Sequence, residues 1–157
     1  MRETTIFCSS QIRKLWPLPL ASQWARLYPQ LFDGDDVRIT RQQPRNHFAE
    51  WFAAIHLFHR DGMLALVEKY VFGTHPRKQD VLKRLMTPCQ QATLDEIRRT
   101  FRVQPPDLLV YAPDHSAFCF AEVKGPGDQL RDAQRQSHQA IEQRLGVAVE
   151  LITVRLL

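Results

Sequence analysis

Apolar residues recur along the chain in two rhythms. In NHFAEWFAAIHLFHRDG, from Asn46 to Gly62, residues Phe48, Trp51, Phe52, Ile55 and Phe58 fall at helical spacing. Ala49, Ala53, Ala54 and Leu57 carry the apolar surface most of the way round. The spacing predicts a helix buried on several sides, with Asn46 as N-cap and Gly62 as stop. The last third changes to the period of strands: DLLVY, a turn APDHSA, then FCFAEVK. After the Gly-Pro-Gly break a helix is predicted from Asp128 to Leu145, with Leu130, Ala133, Ser137, Ile141 and Leu145 on one face and Gly146 as C-cap. The segment VAVELITV follows as a strand. A hairpin followed by a strand–helix–strand crossover makes a mixed sheet with helices against it.

The middle reads less sharply. A strand is expected over Val67 to Phe72, and a short helix opened by Pro76 in HPRKQDVLKRLM. Thr93 and Glu96 have the spacing of a capping box for a helix over LDEIRRTF. Residues 1–45 carry Pro17, Pro19, Pro29 and Pro44 with weak periodicity, and are expected to form a partly helical extension before a domain over 46–157.

Composition narrows the class. The 157 residues suit one domain with a core that needs no disulfide or metal staple, and 44% apolar with 24% charged residues is ordinary for a globular protein. No apolar run approaches a membrane span, and Arg13 and Lys14 follow the short N-terminal apolar stretch, unlike a signal peptide, so a cytoplasmic protein is expected. The 3 cysteines, without CxxC spacing, read as free thiols, with Cys119 a core filler. Net charge is +4, with bases gathered in VRITRQQPR, HPRKQDVLKR and IRRTFR. This leans toward a polyanionic partner, although for any single cluster a solvated helix face is the better reading. Arg38, Arg41, Arg45, Arg77 and Lys78 are the candidate phosphate contacts. His56 and His59 lack a third ligand at a recognisable spacing and read as a polar helix edge. No glycine-rich phosphate loop is present, so no nucleotide cofactor is expected.

The predicted strands hold a conflict. Asp107 opens the first, and Glu122 and Lys124 interrupt the second. With the turn centred near His115, Asp107 lies across from the stretch 122–124, and Glu122 and Lys124 share a face. Buried charges persist only when they pair or hold a metal. Two carboxylates with the Val123 carbonyl suit a hard divalent ion such as Mg²⁺. Glu50, inside the most apolar helix, could add a third carboxylate, leaving Lys124 to orient water or stabilise charge on a phosphate. The plainer alternatives are an Asp107–Lys124 salt bridge and a Glu50 that neutralises Arg45 or Lys69. A lone Glu-x-Lys arises by chance in roughly one of two chains this long. Here it is the chain's only one, at the end of an apolar strand, while Pro113-Asp114 belongs to the turn.

Pro106-Asp107, then Glu122-Val123-Lys124, then a helix, resembles the PD-(D/E)xK nuclease superfamily. More narrowly, PDLLVY…FAEVKGPGDQLRDAQ is similar to the virus-type replication-repair nuclease (VRR-NUC) family, matched by Asp107, Glu122 to Pro126, Asp128 to Leu130 and Gln134. FAEWFAAIHLF resembles the family's upstream helix with its acidic residue, Glu50. Ser137 departs from the family, whose members often carry an aromatic or larger apolar residue there. The resemblance implies an α/β, restriction-endonuclease-like core with a mixed central sheet flanked by helices and an N-terminal extension. It implies a DNA endonuclease that hydrolyses phosphodiesters through a metal-bound water, on flap or junction DNA in replication or repair. Asp107, Glu122, the Val123 carbonyl and Glu50 would hold Mg²⁺ or Mn²⁺, Lys124 would act on the water, and Gln134 would steady the site. A homodimer is expected for two-fold substrates. An interbacterial nuclease toxin of the same chemistry, or a non-catalytic nucleic-acid-binding module on the same fold, are the competing functions.

Overall fold

The computed structural model describes residues 1–71 and 73–157. In chain order the elements are β1 (Arg2–Cys8), α1 (Ser10–Lys14), α2 (Leu20–Leu27), α3 (Gly34–Gln42), α4 (Phe48–Asp61), β2 (Leu64–Leu66), α5 (Pro76–Leu85), α6 (Pro88–Phe101), β3 (Leu108–Tyr111), β4 (Phe118–Lys124), α7 (Asp132–Leu145) and β5 (Val149–Leu156). The strands form one 5-stranded mixed sheet in the order β1-β5-β4-β3-β2. β1 and β4 run parallel to β5, whereas β3 pairs antiparallel with both β4 and β2.

Alternation sends side chains to two cores. Leu108, Val110, Ala121, Val123 and Ile152 face α4, while Leu109, Tyr111, Phe120 and Val149 face a layer that includes α6 and α7. Both faces of β3 and β4 are therefore covered, which is why these strands read as nearly continuous apolar runs.

The surroundings of α4 explain its apolar girth. The sheet lies on one side, and aromatic residues of the N-terminal segment lie on the other. Phe32 stacks on Trp51 with ring centroids 3.8 Å apart, and Trp16 meets Trp51 edge-on at 5.3 Å. The Trp16 indole N–H donates to the Asn46 carbonyl at 2.8 Å. Residues 1–45 hold α1, α2 and α3 and also contribute β1, whose weak alternation hid it. Gly62 caps α4 with φ +68, but the N-cap is His47, one residue past Asn46.

Three local expectations need correction. The strand after α4 is Leu64–Leu66; the chain turns at Glu68 and Lys69, both with φ 49, and Phe72 lies outside the described residues. Helix α6 starts earlier than Thr93, at a capping box formed by Thr87 and Gln90; Thr93 is interior and its hydroxyl donates back to the Cys89 carbonyl at 3.0 Å. Helix α7 begins at Asp132, because Asp128 is used to close the preceding turn.

A buried ion network ties the N-terminal segment to the centre. Lys78 of α5 is 2% exposed, and its ammonium donates to Asp36 of α3 at 2.6 Å and to the Glu68 carbonyl at 2.9 Å. Arg77 donates to Asp33 at 3.0 Å and to the carbonyls of Gln30, Leu31 and Ala65. Neither is left facing outward for a phosphate, so the candidate DNA contacts at Arg77 and Lys78 are corrected to structural roles. Removing one partner of a buried pair strands the other's charge. Lys78→Ala should therefore cost ~3–5 kcal/mol in urea unfolding. The double variant Lys78→Met/Asp36→Leu should recover most of that loss, and a double variant no more stable than Lys78→Ala would refute the assignment.

Candidate active site

The charged residues of the hairpin fall where its ladder runs out. Carrying the Leu108–Ala121 register one residue further sets Asp107 against Glu122, and one more sets Pro106 against Val123. Ala112 donates its N–H to the Ala117 carbonyl at 2.9 Å, so by parity Pro106 and Val123 are a pair that would exchange both ladder bonds. Proline has no N–H. The Val123 N–H turns instead to Asp107 Oδ2 at 2.8 Å, and the Pro106 carbonyl accepts the Tyr70 hydroxyl. The Val123 carbonyl thus gets no ladder donor from Pro106, and it sits beside a carboxylate.

Glu122, 3% exposed, is gripped from the following helix. Its Oε1 lies 2.8 Å from the Lys124 ammonium and accepts from Gln134 Nε2 at 2.7 Å. Gln134 Oε1 accepts in turn from Lys124 at 3.2 Å and from the Arg131 N–H at 3.1 Å, which seats it in the first turn of α7. The tight link from β4 to α7 passes through Gly127 at φ +84, and Asp128 accepts the Gly125 N–H at 3.2 Å. His138, one turn beyond Gln134, brings Nε2 to 3.5 Å from Glu122 Oε2.

Glu50 comes from the first turn of α4, where helix N–H groups favour a carboxylate. It lines a cavity of about 470 Å³ together with Asp107, His47, Glu68, Lys69 and Tyr70. No ion pair joins it to Arg45 or Lys69 among the described residues. His47 does not cap α4 with its side chain; Nδ1 lies 2.8 Å from Glu68 Oε1, and Nε2 lies 2.8 Å from Gln43 Oε1. His47 and Glu68 both hold positive φ, at 76 and 49, a conformation that side chains adopt only when their surroundings impose it.

The carboxylates act on one another. Burial, then the charges of Glu122 and Glu50, push the Asp107 carboxyl well above its usual range, outweighing the Val123 N–H and Lys124. Burial, then Glu68 and Glu122, raise Glu50. Glu122 is buried too, but His138 and Lys124 outweigh that and hold it low. Lys124 contacts Glu122 and His47 contacts Glu68, and their pull on Asp107 and Glu50 does not offset burial and the mutual repulsion of the carboxylates. These carboxylates and the Val123 carbonyl are hard oxygen donors of the kind Mg²⁺ and Mn²⁺ take. Among the described residues no three His, Cys, Asp or Glu side chains gather tightly enough to enclose an ion alone, so a carbonyl and water would have to share the task.

The structure thus brings Asp107, Glu122, Val123, Lys124 and Gln134 together and sets Glu50 beside Asp107. Arg38, Arg41 and Arg45 are exposed; Arg38 lies 3.2 Å from Asp35 and lines a shallow depression with Glu68 and Lys69. Sequence reasoning missed His138, Tyr70 and Glu68. Only His138 left a signal, at helical spacing from Gln134.

The model of the VRR-NUC domain matches residues 54–156. The chain belongs to the VRR-NUC domain family. Asp107, Glu122, Lys124 and Gln134 lie inside the match, and Glu50 lies just before it. Among solved structures, this VRR-NUC chain is similar to paFAN1 bound to 2-nucleotide 5′-flap DNA with a gap, at 21% identity and a TM-score of 0.45. It is also similar to paFAN1 bound to 1-nucleotide 5′-flap DNA with a gap, at 20% identity and a TM-score of 0.43. In both, 87% of this chain is covered but only 23% of the other. No curated protein matches it. Among the described residues, no helix of this VRR-NUC protein is long and apolar enough to cross a membrane.

The repulsion has a measurable sign. A carboxyl whose folded pKa is raised above its unfolded value costs nothing below the unfolded pKa. Its penalty grows as pH rises toward the folded pKa and is complete above it. Glu50→Gln should therefore raise the melting temperature in EDTA by on the order of a few degrees at pH 8 and by less at pH 5. A variant that melts below wild type at pH 8 would contradict the repulsion.

Proposed function

We propose that this VRR-NUC domain is a divalent-metal-dependent DNA endonuclease. The observation that carries the reading is the convergence, at the frayed end of β3 and β4, of Asp107, Glu122 and a carbonyl without a ladder partner, with Lys124 beside them. Asp107, Glu122 and the Val123 carbonyl would hold Mg²⁺ or Mn²⁺, with Glu50 completing or supporting the set. A bound divalent ion supplies Lewis acidity toward the phosphate and lowers the pKa of water. The protein's own groups do the rest. Lys124 keeps its side chain 14% exposed while contacting Glu122 and Gln134, so its ammonium is held in place yet able to meet a water or a phosphate oxygen. Donors fixed before the reaction stabilise developing charge without reorganising. Gln134 holds both Glu122 and Lys124 and so sets their relative position.

Arg38, Arg41 and Arg45, exposed just before α4, are the proposed phosphate contacts. Such contacts place a duplex without reading its sequence. Flap and four-way-junction DNA are the substrates to compare first with plain duplex and single strands.

In Mn²⁺ the wild type should cut DNA and in EDTA it should not. Lys124→Ala should lose about 10²–10³ in rate, the scale expected for removing one positioned donor. Metal-dependent cutting that persists at wild-type rate in Lys124→Ala would overturn the role of the lysine. No cutting by wild type, with DNA still retained in gel shifts, would replace the nuclease with a binding module. Arg41→Ala and Arg45→Ala should each weaken binding to all sequences alike and flatten the log–log salt dependence by about 1. An unchanged slope would remove them from the interface.

A further inference from the structure

We propose that His138 is a positioning residue that locks Glu122 from behind, acting through that carboxylate and not on the substrate. The inference rests on the nuclease reading above. Gln134 and His138 stand one turn apart on α7 and therefore share a face. Between them they address both oxygens of Glu122: Gln134 Nε2 donates to Oε1 at 2.7 Å, and His138 Nε2 lies 3.5 Å from Oε2. A carboxylate held at one oxygen still turns about its last bond. With the imidazole within ion-pair distance of the second oxygen, that rotation is opposed and one orientation of the carboxylate is favoured.

The imidazole is built in firmly. His138 is 3% exposed, between Ser137 and Ile141, which are buried as well. Its Nδ1 is buried without a hydrogen-bond partner. An ionised carboxylate only accepts, so the nitrogen facing Glu122 must carry the proton. A proton on Nδ1 would meet no acceptor, and a buried N–H left unpaired is the costlier defect. One tautomer, with the N–H on Nε2, satisfies both conditions. Groups that orient a metal-binding carboxylate in this way are typically worth 10- to 100-fold in metal affinity. A histidine serving only to fill the core would contribute nothing to that affinity.

Two substitutions separate these roles. His138→Leu keeps the bulk and removes the donor, while His138→Gln offers an amide N–H near the place of Nε2. Mn²⁺ binding by the metal-free full chain would be measured by calorimetry, beside melting in EDTA and ¹⁵N spectra of the wild-type imidazole. The expected result is a 10- to 100-fold weaker Kd for His138→Leu, recovery to within a few-fold in His138→Gln, and the proton on Nε2. A folded His138→Leu that binds Mn²⁺ as tightly as wild type would overturn the inference alone. So would a proton found on Nδ1, which decides the matter even if His138→Leu does not fold. If wild type itself bound no Mn²⁺, the nuclease reading would fall and this inference with it.

Discussion

A missing hydrogen organises this protein's site. Where β3 and β4 would exchange another pair of ladder bonds, proline occupies the position and has none to offer. A broken rung inside a sheet covered on both faces leaves backbone polar groups that must be satisfied without water. The chain satisfies one with the Asp107 side chain and another with a tyrosine hydroxyl, and the Val123 carbonyl receives no donor from Pro106. Acidic side chains belong at that place because the frayed ladder needs an acceptor there. The candidate chemistry therefore grows out of a strand ending, not out of a loop laid over the fold.

The surrounding structure absorbs the cost. Carboxylates crowded as closely as Asp107, Glu122 and Glu50 would push a loose assembly apart. Here each is carried by a different rigid element: Asp107 ahead of β3, Glu122 on β4 and Glu50 on α4. Helix α4 cannot retreat, because the aromatic residues of the N-terminal segment press on its far side. The buried lysine of α5 pins the turn that carries Glu68 to the same segment. Strain at His47 and Glu68 is held by this packing, which is the usual way unfavourable local geometry persists beside reactive groups.

How much of this was legible follows from distance along the chain. The hairpin register could be read to within a residue because turn residues and alternation are local: it set Asp107 across from the stretch 122–124, and the structure sets it against Glu122. Gln134 and Glu50 came from the family resemblance and the apolar helix. Strand β1 could not be read, since its own alternation is weak and the partner that makes it a strand lies at the other end of the sequence. Arg77 and Lys78 misled for the opposite reason: a basic run looks solvated until the acids that bury it, Asp33 and Asp36, come from a distant helix. The α6 cap was misplaced because Thr93 and Glu96 mimic a motif that Thr87 and Gln90 fulfil one turn or more earlier. His138 escaped although it stands one helical turn from Gln134, because that spacing alone does not say that its ring meets a carboxylate.

The pairing of β1 with β5 reaches beyond the site. Arg2 sits against Glu150, so the first strand made joins the sheet only beside the last. Because β5 lies between β1 and β4, the edge strand has no place to dock until β4, α7 and β5 have assembled. Ordering contacts this remote requires closing nearly the whole chain into a loop before any ladder bond forms in return. During synthesis β1 leaves the ribosome long before its partner exists, with Ile6 and Cys8 uncovered. The sheet is thus completed only once β5 has been made, and the interval before β5 arrives is when this chain is most open to pairing with a neighbour.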